Sequence, residues 1–568
     1  MVEPRSHRSQ VMEWWGGVLF VFILAASAHL MFSWRGFNPT DEGIVLAGAR
    51  RILAGQVPHR DFIFIRPALS MYLHLPEVAL GGSYVIWLSR LSFWLQEAAM
   101  AWLWTGIIAS LIKTPLRMTL RMPLALIVFF LSAHTFPDMA WHTIDGLFLT
   151  AAGLALIVSG SHKRTRLIGY VILGAAGLCK QIFVPLFPLA LLLLGDWKHW
   201  RAILAGALPG IAYLLYLLLN GALGDAIPQL VATHGFWEIA VKNYLERPLL
   251  YEGIVLGGAS VLLLRWITSR SSPPVAVRIV ICVLALLGIL YFPMQMALHM
   301  TDGRMPFAIF GACIGAVIMT GDWKLMRAGM FVCATAWLGS ISSGYQTPAL
   351  GIGPVTAVLL VTGLVPMAAL AVPGKLRPLQ RFSQHILLLG LAAFIGTGFV
   401  LYRTHVLYRD IPAKLTKDLG EVLRGGSMIK TNPETYALLA DLENVTKGIP
   451  AGKKFTILPD FAAYWIRSPE ENPLPTDWPN SFEISTPALM DRLHQPLFVN
   501  DTVQYAIIAR YDAGALPNRR VIPQRVLSTD PEERIFESWS KNIAEPEDRI
   551  KDTWKKVKET EYFEVYKR

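Results

Sequence analysis

Two adjacent acids, Asp41 and Glu42, lie in a short polar stretch that follows the first long apolar run of the sequence. A carboxylate at the mouth of a membrane cavity is suited to take a proton from a reacting hydroxyl group. The same residues also suit a helix start, with Thr40 as the N-cap and the acids beside the positive end of the helix dipole. The pair therefore indicates a catalytic base, a helix start, or both.

A second polar stretch, residues 134–146, carries two acids and two histidines. Ionisable side chains at membrane depth usually face a polar interior rather than lipid. His142 and Asp145 are three residues apart, so one helical face would carry both. Asp138 or Asp145, together with Asp41, is a candidate site for a divalent ion such as Mg²⁺ or Mn²⁺. The alternative is an interfacial loop with a hydrogen-bonded histidine.

Basic and polar side chains near other membrane boundaries are candidates for substrate binding. Lys180, followed by Gln181, interrupts an apolar stretch. A lysine there either binds a phosphate or extends to the lipid headgroups. Arginine is suited to a bidentate grip on a phosphate. The full set of predicted substrate-binding residues is Glu42, Arg60, Arg66, His142, Asp145, Lys180, Gln181, His299, Arg304 and Tyr345.

The composition is typical of a membrane protein. Of the 568 residues, 53% are hydrophobic and only 16% are charged, whereas a soluble domain carries about 25% charged residues. A net charge of +11 would suggest nucleic acid as a partner of a soluble protein, but here the basic residues fall in short runs between apolar stretches. That arrangement is expected where cytoplasmic lysines and arginines orient the chain. We find no nucleic-acid-binding motif.

The apolar stretches predict a polytopic α-helical protein, since a helix needs about 20 residues to cross a bilayer. With a cytoplasmic N-terminus, thirteen spans place all basic loops on the cytoplasmic side. We predict that residues 167–194 form two short helices joined at Lys180 and Gln181, because one long helix would move the following basic loops outside. The predicted spans are 14–33, 84–112, 121–136, 143–160, 167–179, 182–194, 201–220, 250–267, 278–298, 305–320, 325–340, 351–372 and 385–402.

This topology divides the chain into a transmembrane module, residues 1–402, and a C-terminal α/β domain outside the cytoplasm, residues 403–568. The C-terminal region is polar and long enough for a core of its own. Its pattern predicts strands at 454–458, 505–509 and 563–566, and helices at 433–442 and 548–559.

The segment after the first span predicts an amphipathic helix that lies along the membrane surface. Ile44, Val45, Ala49 and Ile52 share one face at helical spacing, and Gly55 ends the run.

The four cysteines lie in or beside apolar stretches and lack Cys-x-x-Cys spacing, so neither a metal knuckle nor a disulfide scaffold is indicated. The first apolar run has no convincing cleavage site, and we interpret it as an uncleaved membrane anchor.

Several short motifs, in this order along the chain, resemble the GT-C superfamily of polyprenyl-phosphate-sugar glycosyltransferases. Relatives in that superfamily include the protein O-mannosyltransferases and the lipid A aminoarabinose transferases. The motifs are Asp41-Glu42-Gly43, Arg51-Ile52-Leu53-Ala54-Gly55 with Pro58 and Arg60-Asp61-Phe62, Trp141 to Gly146, Gly177-Leu178-Cys179-Lys180-Gln181, Ile457-Leu458-Pro459-Asp460, Tyr464 and Asn472-Pro473-Leu474-Pro475.

The resemblance implies an inverting glycosyltransferase of the cytoplasmic (inner) membrane, with its active site and C-terminal domain facing the periplasm. Asp41 matches the catalytic aspartate of the first outer loop. It would take a proton from an acceptor hydroxyl, and Lys180, Arg304 or a divalent ion would balance the charge of the departing lipid phosphate. The acceptor would be a glycolipid, a cell-wall polysaccharide, a protein or a lipid A-like molecule.

Two other functions fit the membrane spans. A lipid or solute transporter or flippase would explain the intramembrane charges, but inverted repeats, which are common in transporters, are not apparent. A non-catalytic assembly or lipid-binding protein is the second alternative. Sugar transfer from a labelled donor would separate all three.

Overall fold

The computed structural model is mainly helical. It describes residues 7–113, 116–134, 136–160, 162–231, 238–269, 275–298, 303–342, 346–369, 377–459, 461–480, 483–511 and 545–568. The predicted site residues His299 and Tyr345 lie outside the described residues.

Apolar helices make up most of the chain up to residue 405. They are α1 (His7–Phe32), α2 (Ile44–Leu53), α3 (Leu69–Leu73), α4 (Leu75–Leu80), α5 (Val85–Ile112), α6 (Met118–Ala133), α7 (His142–Ser159), α8 (Lys163–Ala176), α9 (Leu186–Leu194), α10 (Trp200–Leu219), α11 (Leu223–Val231), α12 (Asn243–Leu245), α13 (Pro248–Ser269), α14 (Val275–Leu298), α15 (Met305–Thr320), α16 (Trp323–Gly339), α17 (Ile352–Ala369) and α18 (Arg377–His405).

Each of the thirteen predicted spans coincides with one of these helices. Among the described residues, six helices are long and apolar enough to cross a membrane, and five more apolar helices are shorter. Large apolar side chains such as Leu219 and Val255 remain exposed on them, as expected for a surface that faces lipid. The fold is therefore that of a polytopic membrane protein, while the number of spans stays a prediction.

The break predicted near Lys180 is present. Helix α8 ends at Ala176, a short 3-10 turn follows at Gln181–Phe183, and α9 begins at Leu186. Lys180 has an extended backbone immediately before the 3-10 turn. The break thus holds Lys180 and Gln181 between two short helices instead of inside one long helix.

Glycines allow α13 and α15 to pack backbone against backbone. A Cβ atom at Gly253 would lie 2.1 Å from the Ala308 carbonyl oxygen, and one at Gly315 would lie 2.0 Å from the Ile254 carbonyl oxygen. Small residues at such a spacing are the usual means by which membrane helices approach closely.

The region after α18 is built around a four-stranded mixed sheet. Strands β3 and β4 are parallel, and β6 pairs antiparallel with both β4 and β5. Four α-helices and a two-stranded ribbon surround the sheet within the described residues. The elements are β1 (Lys417–Asp418), β2 (Lys430–Thr431), α19 (Pro433–Lys447), β3 (Phe455–Leu458), α20 (Ala462–Trp465), α21 (Pro487–His494), β4 (Tyr505–Ala509), α22 (545–553), β5 (Lys555–Glu559) and β6 (Phe563–Lys567).

The prediction of one helix over 548–559 is wrong in its second half. The helix ends at residue 553, and Lys555–Glu559 forms the edge strand β5. All five residues of β5 are exposed, and three are lysines. Charged side chains on an edge strand discourage pairing with other chains, and they also remove the apolar alternation by which a strand is recognised in sequence.

Helix α2 is present as predicted, but protein covers its apolar face. Ile44, Val45 and Ala49 belong to one buried cluster together with Leu438 of α19 and Phe461 beside α20. The prediction that this face lies along the membrane surface is therefore wrong. The C-terminal region packs directly on the segment that carries Asp41.

Candidate active site

Asp41 and Glu42 form a 3-10 turn, Asp41–Gly43, that leads into α2. Thr40 precedes the turn but makes no capping hydrogen bond with its side chain. Its hydroxyl instead donates to Asn38 Oδ1 over 2.8 Å. Both acids are buried, with 6% and 3% of their surfaces exposed. Their environment is thus set by tertiary contacts rather than by a helix start open to solvent.

Glu42 is held by Arg90 of α5. The Arg90 Nε–Glu42 Oε1 distance is 2.6 Å, and the Nη2–Oε2 distance is 2.9 Å. Arg90 also donates to the carbonyl oxygens of Ser33 and Gly36, each over 2.7 Å. Burial raises the pKa of Glu42, whereas the charge and hydrogen bonds of Arg90 oppose that increase. The pair ties the end of α1 and the acidic turn to α5.

Asp41 is held through only one of its two oxygens. Oδ2 accepts a hydrogen bond from the Tyr408 hydroxyl over 2.5 Å and one from Asn38 Nδ2 over 3.3 Å. Arg409 Nη1 lies 3.3 Å from the same oxygen. In the part of the chain that the structure describes, no residue donates to Oδ1. Asp41 is therefore oriented, with one oxygen left to accept a proton.

A partly open cavity of about 170 Å³ lies beside this turn. We call it the arginine pocket, because four arginines and two carboxylates are among its lining residues. These charged residues are Arg35, Glu42, Arg90, Asp138, Arg403 and Arg409. Their net positive charge favours an anionic ligand. Asn38 and Tyr408, which bind Asp41, also line the pocket and so place the carboxylate at its edge.

Asp138 contacts α18 and the residue that directly follows α1. Its Oδ2 accepts a hydrogen bond from Ser33 Oγ over 3.2 Å, and its Oδ1 lies 3.7 Å from Arg403 Nη1. Among the described residues, no group of three or more His, Cys, Asp or Glu side chains is arranged to hold a metal ion. Asp41 and Asp138 each face an arginine instead. The divalent-ion site at Asp41 and Asp138 stays a prediction.

Lys180 and Gln181 lie at the break between α8 and α9, near His142, the first residue of α7. Lys180 Nζ donates to the Ile341 carbonyl oxygen over 2.9 Å and to Thr143 Oγ1 over 3.3 Å. Gln181 Nε2 donates to the Ile65 carbonyl oxygen over 2.8 Å. Burial lowers the pKa of Lys180 well below its ordinary value, and the charge of Arg66 adds to the effect. We call Arg66, His142, Lys180 and Gln181 the lysine group.

His142 is the least satisfied member of the lysine group. It is 1% exposed, and neither ring nitrogen has a hydrogen-bond partner among the described residues. Its ring lies against that of Trp141, with 4.5 Å between the centroids. A buried polar side chain without partners is a place where a ligand can bind.

The two arginines of the first loop have different surroundings. Arg66 forms an ion pair with Glu483 of the C-terminal region. Arg60 is more exposed: its guanidinium binds Asp61 over 2.8 Å and the Asn220 carbonyl oxygen over 2.9 Å. Arg66 thus belongs to the interior of the site, whereas Arg60 fastens the rim of the loop to the end of α10.

Asp145 is buried and binds two neighbouring side chains through one oxygen, while its Oδ2 has no partner among the described residues. Its Oδ1 accepts hydrogen bonds from Gln96 Nε2 over 2.8 Å and from His74 Nε2 over 3.2 Å. His74 Nδ1 lies 3.1 Å from Glu77. Burial alone would lower the pKa of His74, but Asp145 and Glu77 outweigh it and raise the pKa to about 10. This cluster fixes the first loop to α5 and α7.

Arg304 is exposed and directly precedes α15. The structure places Glu42 and Asp138 in the lining of the arginine pocket and Asp41 beside it, where three lining residues, Asn38, Tyr408 and Arg409, contact Asp41. It brings Arg66, His142, Lys180 and Gln181 together at the break after α8.

Sequence reasoning missed most of the side chains that hold Asp41 and Glu42. Arg90 is 48 positions from Glu42, and Tyr408 is 367 positions from Asp41. One signal was available, since Arg90 stands near the start of a long apolar helix, where a charged side chain usually has a function. Tyr408 and Arg409 follow the last apolar helix, and no local pattern distinguishes them.

No protein-family model matches the sequence, and neither does any curated protein. Among solved structures, ArnT from Cupriavidus metallidurans bound to undecaprenyl phosphate is similar, with 13% identity, a TM-score of 0.46 and 97% of each chain covered. Its apo state has 14% identity, a TM-score of 0.45 and the same coverage. ArnT is a lipid A aminoarabinose transferase. The function proposed below rests on the geometry of the arginine pocket.

Proposed function

We propose that this protein is an inverting glycosyltransferase that moves a sugar from a polyprenyl-phosphate donor to an acceptor hydroxyl, with Asp41 as the general base. One observation carries the proposal: Asp41 lies at the edge of a positively charged pocket, with Oδ2 held by Tyr408, Asn38 and Arg409 and with Oδ1 free of donors among the described residues. An oriented carboxylate beside an anion pocket suits proton removal next to a phosphate leaving group.

In the proposed reaction, Asp41 takes the proton of the acceptor hydroxyl. The hydroxyl oxygen attacks the anomeric carbon from the face opposite the phosphate and forms the new glycosidic bond. The bond between the anomeric carbon and the phosphate oxygen breaks, and its electron pair leaves with the polyprenyl phosphate. Arginines of the pocket, together with Lys180, stabilise the charge on the departing phosphate. One positioned base contributes roughly 10²–10⁴-fold to such a reaction.

The other predicted residues take supporting roles in this proposal. Glu42, both of whose oxygens contact Arg90, positions the acidic turn. The lysine group binds the donor where its sugar and phosphate approach the break after α8. Undecaprenyl phosphate, the lipid in the ArnT crystal structure, is an example of the donor lipid class.

In this proposal, both parts of the chain contribute residues to the catalytic site. Residues 1–402 form the membrane module that carries Asp41, and residues 403–568 form a domain outside the cytoplasm that supplies Tyr408 and Arg409. A divalent ion held by Asp41 and Asp138 is a separate hypothesis. Loss of transfer on chelation, with recovery on adding Mg²⁺ or Mn²⁺, would support it.

The decisive experiment uses purified full-length protein and a labelled polyprenyl-phosphate sugar, with a membrane lipid extract as the source of acceptors. We expect Asp41→Asn to lower sugar transfer by about 10²-fold or more, while the protein still elutes as wild type from a sizing column. Asp491→Asn is the matched control, because Asp491 is exposed on α21 and the charge change is the same.

Wild-type transfer rates in the Asp41→Asn protein would refute the role of Asp41. A wild-type protein that releases no sugar from the donor but carries the intact lipid across a vesicle membrane would favour the transporter alternative.

A further inference from the structure

A cavity of about 330 Å³ lies in the C-terminal region and shares no lining residue with the arginine pocket. It is bounded by the end of α19, the turn at 448–453 and one side of α20. We call it the α19 groove. Its size is within the range of small-molecule sites, about 300–1,000 Å³.

Helix α20 separates the α19 groove from the acidic turn. Ala463 of α20 donates its backbone N–H to the Pro39 carbonyl oxygen over 3.2 Å. A Cβ atom at Gly43 would lie 2.0 Å from the same Ala463 nitrogen, so the two backbones are in direct contact. Tyr464, the next residue, lines the groove. A ligand in the groove is therefore one short helix away from the turn that carries Asp41.

The groove combines an aromatic surface with many hydrogen-bonding groups. Tyr464 is partly exposed, and its ring is perpendicular to that of Trp465, with 5.2 Å between the centroids. Phe455 lies beside it, and Thr446 and Ser468 add hydroxyl groups. An apolar ring surrounded by a few placed polar groups is the usual construction of a site for a small polar ligand. Sugars offer both an apolar ring face and hydroxyl groups to such a site.

The charges that line the groove give no net attraction for an anionic ligand. Three acids and three bases line it, so they balance: Glu421, Glu443, Glu470, Arg424, Lys447 and Lys453. Helix α19 also ends here, at Lys447. The last carbonyl groups of a helix accept hydrogen bonds, and the negative end of the helix dipole disfavours anions. Hydroxyl groups can donate to the carboxylates that line the groove, whereas a fully ionised phosphate or carboxylate ligand cannot.

Arg424 and Lys453 remain available as donors. Both are exposed, and neither forms an ion pair within the described ranges. They can donate to the ring and hydroxyl oxygens of a sugar, while the exposed carboxylate of Glu470 accepts from its hydroxyls. The groove therefore offers donors and acceptors together, as a polyhydroxyl ligand requires.

We propose that the α19 groove binds a carbohydrate free of phosphate and carboxylate groups, and that this carbohydrate is part of the acceptor. The assignment to the acceptor rests on the proposed glycosyltransferase function. The groove's position behind α20 would let the protein hold an acceptor glycan while its reactive hydroxyl meets Asp41.

Carbohydrate binding to the α19 groove can be tested without measuring sugar transfer. Full-length protein in lipid nanodiscs is applied to an array of bacterial envelope glycans that includes neutral, amino, acidic and phosphorylated members. Ala451→Trp is the blocking variant, because Ala451 is exposed and lines the groove. Ala488→Trp is the matched control, since Ala488 is an exposed alanine of α21 that does not line it.

We expect the wild-type protein to bind at least one neutral or amino glycan, Ala451→Trp to weaken that binding at least tenfold, and Ala488→Trp to leave it within twofold of wild type. The proposal is overturned if no glycan is bound, if every bound glycan is acidic or phosphorylated, or if Ala451→Trp binds as wild type. Equal unfolding temperatures of the two variants exclude a folding defect. Sugar transfer from the donor is measured separately and tests the proposed glycosyltransferase function. A failure of glycan binding can therefore be distinguished from a failure of the proposed function.

Discussion

The neighbouring carboxylates of the acidic turn have opposite environments. Both oxygens of Glu42 contact Arg90, whereas the contacts of Asp41 fall on a single oxygen. A carboxylate whose hydrogen-bonding capacity is used inside the protein stabilises the fold. One with an oxygen to spare can act on a substrate. The two adjacent acids are chemically alike, so it is their different interaction partners that suit them to different roles.

The Glu42–Arg90 pair gives a stability prediction. Glu42→Gln would leave a buried guanidinium without its counter-charge, which costs roughly 3–5 kcal/mol when a buried pair is broken. We expect the unfolding temperature of the Glu42→Gln protein in detergent to fall by several degrees. Glu97→Gln is the matched control, because Glu97 is a buried glutamate of α5 whose oxygens have no partner among the described residues. Equal effects of the two substitutions would show that the ion pair contributes nothing specific.

Lys180 gives a binding prediction. Its ammonium group has no carboxylate partner within the described part of the chain, and a bound phosphate would supply the missing counter-charge. A hydrogen bond to a charged group is worth about 1.5–3 kcal/mol. We expect Lys180→Ala to raise the KM for the donor roughly tenfold or more. Lys567→Ala, which alters an exposed lysine of β6, is the control. An unchanged donor KM in Lys180→Ala would remove Lys180 from the site.

The position of Asp41 was predictable because the order of apolar and polar stretches places its segment after the first span. Its partners were not, because hydrophobic periodicity contains information only about neighbours in sequence. Tyr408 and Arg409 approach Asp41 solely through tertiary packing. Glu42 was predicted to bind substrate because its partner, Arg90, is distant in sequence. Without that partner, the simplest interpretation of Glu42 is a carboxylate that is free to bind a ligand.

At the scale of elements, α20 is a short helix with contacts on two sides. One side touches the acidic turn through Gly43 and Pro39, and the other carries Tyr464 into the α19 groove. The apolar pattern of α2 was sufficient to predict a helix, but not the element that would cover it. Lipid and a packed protein domain both accept an apolar face, so the pattern alone does not distinguish them.

The contact between Gly43 and α20 gives a prediction for this element. In Gly43→Ala the new Cβ would lie 2.0 Å from the Ala463 nitrogen and 2.2 Å from the Ala462 carbonyl carbon. Backbone atoms cannot relieve this contact by rotating, as a side chain could. Overpacking of this kind typically lowers the free energy of unfolding by about 1–3 kcal/mol. We expect sugar transfer to fall at least tenfold and limited proteolysis of the C-terminal region to become faster.

Gly224→Ala is the control for that substitution, because nothing lies within 4 Å of a Cβ atom placed at Gly224. Wild-type activity and protease resistance in Gly43→Ala would mean that α20 can move away from the turn without consequence.

At the scale of the whole molecule, the first loop is enclosed by the membrane helices and by the C-terminal region. Arg90 and Asp145 bind it from the spans, and α20 and Arg409 bind it from the other side. A single backbone bridge between Arg35 and Lys430 also joins the end of α1 to β2. The two regions therefore form the site jointly.

The proposed orientation can be tested at this scale. With the N-terminus in the cytoplasm and the C-terminal region in the periplasm, a tag placed after Arg568 is expected to be cleaved by protease added to spheroplasts. A tag placed before Met1 is expected to survive until the membrane is permeabilised. Protection of the C-terminal tag in intact spheroplasts would contradict the proposed topology.

The contribution of Tyr408 and Arg409 has a consequence for biosynthesis. Asp41 leaves the ribosome hundreds of residues before the two side chains that orient it, and before α20, which covers its turn. The acidic turn therefore cannot adopt its final geometry until the last apolar helix has been inserted and the following sheet has folded. Chains that stall or are cleaved before that point would remain in the membrane with the proposed catalytic site unassembled.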